Sequence, residues 1–174
     1  MKKQTFILKN HYQAESDVMV QAQLEIKNKI IKLHFKVKGK INNYIFPNVS
    51  KQARANNLWK STCFELFFSH KDEKIYKEIN ISPSTEWNSY HFKEYRVYFQ
   101  EEKSTIEPII KNFQQENVYE LSFEYHLDET FSEQNFIFNL AVILLDIDEV
   151  RSFYSIKRTS KEVDFHNKES WFIE

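Results

Sequence analysis

The chain has 174 residues, with 24 Lys and Arg against 25 Asp and Glu and a formal net charge of −1 at pH 7. That balance leaves no long-range field to draw the protein to nucleic acid or to an anionic membrane, so neither is expected as a partner. The single cysteine, Cys63, excludes an internal disulfide, a thiolate metal cluster and a C-x-x-C redox pair, and the length suits one domain spanning residues 1–174.

Sixteen Phe, nine Tyr and three Trp are many for this length, and aromatic and β-branched side chains suit a pleated, half-buried surface. The composition therefore favours strands. One glycine is few for an all-β chain, whose hairpins need positive φ, and Asn10, Asn42-Asn43 and Asn56-Asn57 are expected to substitute, since Asn tolerates the left-handed region.

Residues 1–10 carry positive charge but an apolar run of only three, from Phe6 to Leu8, against the roughly 7–15 of a secretory core. The longest apolar run, 140–145, is far short of the roughly 20 residues of a membrane span, and a cytoplasmic protein is expected. Residues 17–26 alternate, with Val18, Val20, Ala22, Leu24 and Ile26 on one side, which predicts a half-buried strand. A turn at Asn28 leads to Ile31, Leu33, Phe35 and Val37 with lysines opposite, so the two segments form an antiparallel hairpin whose lysines face water.

Alternation lapses over 39–58, which holds Gly39, Pro47 and several Asn and reads as a long loop of the kind that carries function. Strand signals resume at 62–69, 74–82, 87–92 and 96–99, then at 105–113, 118–125, 136–145 and 151–157. The best helix candidate, 127–134, is two turns at most. About ten strands without a useful helical period predict an all-β, two-sheet antiparallel β-sandwich or a barrel.

Within 62–68, Glu65 is a lone carboxylate in an apolar strand, and a charge there must be partnered, lie at a wet surface or take up a proton. In 74–82, Tyr76, Glu78, Asn80 and Ser82 share one face against Ile75, Ile79 and Ile81. Trp59 precedes these strands, and Trp87, Asn88 and Tyr90 follow them. Flat rings beside bidentate polar groups suit a saccharide, whose apolar C–H faces stack and whose hydroxyls need partners. Against this stands ordinary core packing, the commoner fate of a Trp in a β protein.

Catalytic patterns are sparse. His166 could act as acid or base, but no G-x-S-x-G turn, H-E-x-x-H pair or phosphate loop accompanies it. Cys63 with His166 is a conceivable nucleophile pair, although a lone cysteine on an apolar strand is more often a small core residue. Glu65 and Glu78 could supply paired carboxylates, but nothing singles them out from other acids. The six His show no metal-ligand spacing, and the acidic run from Asp146 to Glu149 reads as a solvated turn rather than a calcium corner.

The order W-x-x-x-C-F-E at 59–65, followed by Asn80-Ile81-Ser82-Pro83 and Trp87-Asn88-Ser89-Tyr90, resembles the bacterial DOMON-like proteins, relatives of family 9 carbohydrate-binding modules. Ser152-Phe153-Tyr154-Ser155 and Asp164-Phe165-His166 are similar to the closing segment of that family. The resemblance implies a jelly-roll-like sandwich that binds a ligand without catalysis, a saccharide in the carbohydrate-binding relatives. The implied ligand-binding residues are Trp59, Glu65, Asn80, Ser82, Trp87, Asn88, Tyr90 and His166. A haem or other cofactor site is the alternative, with Met19, His34 and His91 as candidate ligands, and a glycan hydrolase working through Glu65 and His166 is the third. No particular cofactor follows from the sequence.

Overall fold

The computed structural model describes residues 3–12, 16–101, 106–128, 131–132, 134–159 and 161–173, without the side chains of Tyr98 and Phe99. Twelve strands are present among them. They are β1 (Gln4–Asn10), β2 (Val18–Lys27), β3 (Ile30–Gly39), β4 (Cys63–His70), β5 (Tyr76–Ile81), β6 (Trp87–Glu94), β7 (Val97–Glu101), β8 (Ile109–Gln115), β9 (Val118–His126), β10 (Phe136–Leu145), β11 (Arg151–Ser155) and β12 (Phe172–Ile173).

All named pairings are antiparallel and form two sheets. One runs β8-β9-β3-β2-β1 and the other β7-β6-β5-β4-β10-β11, with β12 also beside β10. They are joined at a corner by β1, whose Gln4 to Leu8 pair with β2 while Lys9 and Asn10 pair with β11. The architecture is the expected antiparallel sandwich. β1 and β12 are additional to the expected strands, because β1 buries only Leu8 and β12 has two residues.

Alternation determines which side chains meet between the sheets. β2 and β3 bury every second residue, and Phe35 of β3 meets Phe64 of β4 across the sandwich, ring centroids 5.2 Å apart. Tyr119 of β9 stacks on Phe64 at 5.8 Å and on Phe46 at 4.1 Å. Each fully buried aromatic side chain of this kind contributes roughly 1.5–3 kcal/mol by leaving water. The hairpin lysines do face water, and Lys36 pairs with Glu120 at 2.8 Å on the outer surface.

Asn28 and Lys29 both have positive φ in the β2–β3 turn, the primed geometry that suits a twisted two-residue hairpin. Asn57 and Asn135 are also left-handed, whereas Asn42-Asn43 lie in a 3-10 turn and Asn10 ends a strand. Lys29, Thr85, Arg96 and Glu149 supply further positive-φ positions that the sequence did not advertise.

The described residues of 127–134 form no helix, and residues 129, 130 and 133 lie outside the described set, as does residue 105 of the expected strand 105–113. Among the described residues, no helix is long and apolar enough to cross a membrane.

Candidate functional site

The sheet containing β4, β5 and β6 has two very different faces. Phe64, Leu66, Phe68, Ile79, Ile81 and Trp87 point into the core between the sheets. The opposite face carries a second, smaller apolar cluster, including Cys63, Phe67, Tyr76, Phe165 and Trp171, under a cover of loops. Between that face and its cover lies a cavity of about 800 Å³.

Strand register sets the cavity floor. One row across the sheet runs Ala141, Glu65, Asn80, Asn88, and the next runs Asn139, Phe67, Glu78, Tyr90. Glu65 and Glu78 are therefore diagonal neighbours, a spacing of about 7–8 Å between backbones that long side chains bridge. Both line the cavity, and they are 2% and 6% exposed.

The walls come from three connections. The loop before β4 is held by a parallel bridge between Arg54 and Trp87, with Ala55 N donating to the Trp87 carbonyl and Trp87 N to that of Ala53. This brings Asn56 and Trp59 to the rim, where Trp59 meets Tyr90 edge to face at 6.0 Å. The turn at Tyr95 and Arg96 forms a second wall. The segment 163–171 forms the third, anchored by Trp171 Nε1 and Asn139 Nδ2, which both donate to the Phe165 carbonyl. Lys168 fastens the same segment to Ser69 Oγ at 2.8 Å and to the Glu73 carbonyl at 2.6 Å.

His166, carried by this segment, sits over the floor. Its Nδ1 is 2.7 Å from the Tyr76 hydroxyl, and that oxygen accepts the Arg96 backbone N–H at 3.1 Å. The other ring nitrogen, Nε2, lies 3.8 Å from Glu78 Oε2. Burial, helped by the Arg96 charge and opposed by Asp164, lowers the His166 pKa to about 4. Arg96 is itself tied to Asp164 at 2.9 Å, and Tyr95 donates to the other Asp164 oxygen at 2.6 Å.

The two glutamates are hard to ionise together. Burial pushes Glu78 up to about 7, while a hydrogen bond from Asn80 Nδ2 to Oε1 at 2.8 Å and the Arg96 charge hold it back. Burial raises Glu65 well above the usual carboxylate range, and the neighbouring Glu78 raises it further. A neutral Glu65 and a more readily ionised Glu78 follow from these environments.

Of the eight residues expected at a site, Trp59, Glu65, Tyr90 and His166 line the cavity. Asn80 and Asn88 lie on the floor face behind it. Asn80 bonds Glu78, while Asn88 Nδ2 donates to Asn56 Oδ1 at 3.0 Å and to Glu101 Oε1 at 3.2 Å, holding two wall residues. Ser82 accepts from Ser84 within the β5–β6 turn, outside the cavity lining. Trp87 is 2% exposed in the core on the opposite face, its ring beneath the Arg54 guanidinium at 4.2 Å.

Cys63 is buried, outside the lining, and its thiol is raised by burial and by Glu65, which disfavours a nucleophilic thiolate. Met19 and His34 lie on the other sheet and His91 alternates away from the floor, so none of the three lines the cavity. Asp146 uses Oδ1 to accept from Asp148 N and Val150 N of its own turn.

Several cavity residues escaped the sequence reading, among them Asn56, Phe67, Phe92, Arg96 and Phe153. Phe67 and Phe92 share strand parity with Glu65 and Tyr90, a signal that could have placed them; Arg96 reaches the cavity only through a turn.

Solved structures with this architecture exist. Over 98% of this chain and 84% of the other, it superposes on a protein from Bacteroides uniformis ATCC 8492 proposed to bind carbohydrate, with a TM-score of 0.65 and 12% identity. It also superposes on a family 9 carbohydrate-binding module from Caldicellulosiruptor kristjanssonii. The complex with cellotriose gives a TM-score of 0.51 at 13% identity, covering 87% of this chain and 71% of that one. The complex with glucose gives 0.51 at 12%, covering 91% and 87%. The chain shares the β-sandwich fold of these proteins. No family model matches it, and no curated protein matches it in sequence.

Proposed function

We propose that this protein is a non-catalytic module that binds a saccharide in the cavity over β4, β5 and β6. The observation that carries the proposal is a single floor that joins apolar rings to buried carboxyls: Phe67, Tyr90 and Trp59 surround Glu65 and Glu78. Rings of this kind accept the C–H face of a pyranose, and the carboxyls and Asn56 bond its hydroxyls. An 800 Å³ cavity lies within the roughly 300–1,000 Å³ of small-ligand sites. The glucose and cellotriose complexes of the module with the same fold support a saccharide ligand. The DOMON-like motif at 59–65 supplies both Trp59 and Glu65, which accords with this assignment.

Trp59, Glu65, Tyr90 and His166 touch the ligand in this scheme, and Asn80 and Asn88 hold them in place. A glycan array followed by calorimetry on the bound sugar tests it, with Trp59→Ala weakening binding at least tenfold. Failure of every saccharide to bind would remove the proposal. A second possibility, hydrolysis of a glycosidic bond, draws on the unequal proton affinities of Glu65 and Glu78. Release of reducing sugar by the protein, lost in Glu65→Gln, would establish it.

A further inference from the structure

The hydrogen-bond accounting on the cavity floor does not close. The Glu65 carboxyl is 2% exposed and lines the cavity, yet among the described residues only the Cys63 thiol is close enough to bond it. Glu78 Oε1 is satisfied by Asn80, but Oε2 faces His166 Nε2 at 3.8 Å, too long for a hydrogen bond. Asn80, the cross-strand partner of Glu65, is wholly buried and leaves Oδ1 without a donor. Acceptors therefore outnumber donors at one buried spot.

The cations nearby do not fill the deficit. Arg96 spends its guanidinium on Asp164 and Tyr95, at 2.9 Å and 3.3 Å. Arg151 donates to the Trp59 carbonyl at 3.3 Å. Among the described residues neither glutamate is ion-paired with a lysine or arginine, and Glu101 adds a third carboxylate to the lining. Without a ligand, burial keeps a proton on Glu65. A ligand can settle the deficit by supplying three N–H donors and a positive charge beside the Phe67 and Tyr90 rings that line the same cavity.

We infer that the saccharide bound here is an amino sugar with a free ammonium group, seated against Glu65 and Glu78. This rests on the saccharide assignment above and narrows it. The ammonium replaces the proton held on Glu65, so binding releases a proton to the buffer, and affinity rises as pH increases until the sugar amine itself deprotonates. The raised proton affinity of both glutamates accords with such an exchange.

Calorimetry on the full chain with glucosamine, glucose and N-acetylglucosamine, in two buffers of different ionisation enthalpy, tests the inference. Glucosamine is expected to bind at least tenfold more tightly than the other two and to release a proton, and Glu65→Gln is expected to bring the ratio near one. Proton release by the unaltered protein serves as the readout should Glu65→Gln fail to fold. Equal affinities, or N-acetylglucosamine ahead, would overturn the ammonium and leave the saccharide site standing. Failure of these sugars and of every neutral or amino sugar on an array would overturn both.

Discussion

The Tyr76 hydroxyl is hydrogen-bonded to Nδ1 of His166 at 2.7 Å across a sequence separation of 90 residues. Its oxygen is simultaneously the acceptor for the Arg96 backbone N–H, so one side chain joins the floor, the turn wall and the C-terminal cover of the cavity. Tyr76→Phe would strand a half-buried ring nitrogen and a backbone N–H together. A stability loss of about 1–3 kcal/mol is expected in urea unfolding, because an unsatisfied buried group incurs its full desolvation cost. A variant as stable as the parent would show that water replaces the hydroxyl without loss.

The pKa shifts of Glu78 and His166 act on stability in opposite directions. Glu78 rises from 4.5 to about 7, so the folded state holds an extra proton between those values and its contribution falls as pH rises. His166 falls from 6.5 to about 4, so there the unfolded state holds the extra proton and stability rises with pH. Over the shared window of about pH 4.5–6.5 the two slopes offset.

Glu65, raised well above 4.5, adds a contribution fully present below 4.5 and lost as pH climbs through its folded value. Melting temperature is therefore expected to fall as pH rises above about 4.5 in the parent, and to fall less in Glu65→Gln. His166→Gln should steepen the decline over about pH 4.5–6.5, where the histidine otherwise offsets Glu78. Parallel curves for the parent and Glu65→Gln would contradict the assignment of the proton to Glu65.

Two tryptophans that sequence alone treats alike should behave oppositely. Trp87 is buried in the core between the sheets, and Trp87→Ala is expected to cost about 3–5 kcal/mol of stability. Trp59 is half-buried at the cavity rim, and Trp59→Ala should cost about 1 kcal/mol of stability while reducing saccharide affinity tenfold or more. Denaturant unfolding and calorimetry run on both variants separate the two roles.

The sandwich was legible because alternation in 17–26 and 31–37 marks a buried face directly, and the hairpin turn at Asn28 follows from Asn chemistry. The site was only partly legible. Trp87 and Asn88 were grouped by adjacency, yet neighbouring strand residues face opposite ways, and strict use of that rule would have separated Trp87 from Asn88 and Tyr90. In β4 only Glu65 told the two faces apart, since Phe64, Leu66 and Phe68 otherwise oppose Cys63 and Phe67 with nearly equal apolarity. The second cluster exists because 163–171 covers the outer face, a tertiary contact that no local pattern encodes. The pairing of Glu65 with Glu78 likewise depends on the register of β4 on β5.

Gly39, the only glycine of the chain, gives the last test. It ends β3 at φ +137°, and a Cβ there would strike the Asp17 carbonyl oxygen. That carbonyl also accepts from Lys40 N at 3.0 Å, while the Asp17 carboxylate accepts from Asn43 Nδ2 at 2.6 Å and the Tyr44 hydroxyl at 2.7 Å. The start of the loop that later delivers Asn56 and Trp59 is thus pinned to Asp17. Gly39→Ala should destabilise by more than about 1 kcal/mol, because strain and steric overlap outweigh the entropy gained in the unfolded chain. Gly39→Asn should do no better, since φ +137° lies outside the left-handed region that Asn tolerates. Asn57→Gly, at φ 64°, should be nearly neutral. Urea midpoints for the three variants test the distinction, and a Gly39→Ala midpoint equal to that of the parent would refute the steric argument.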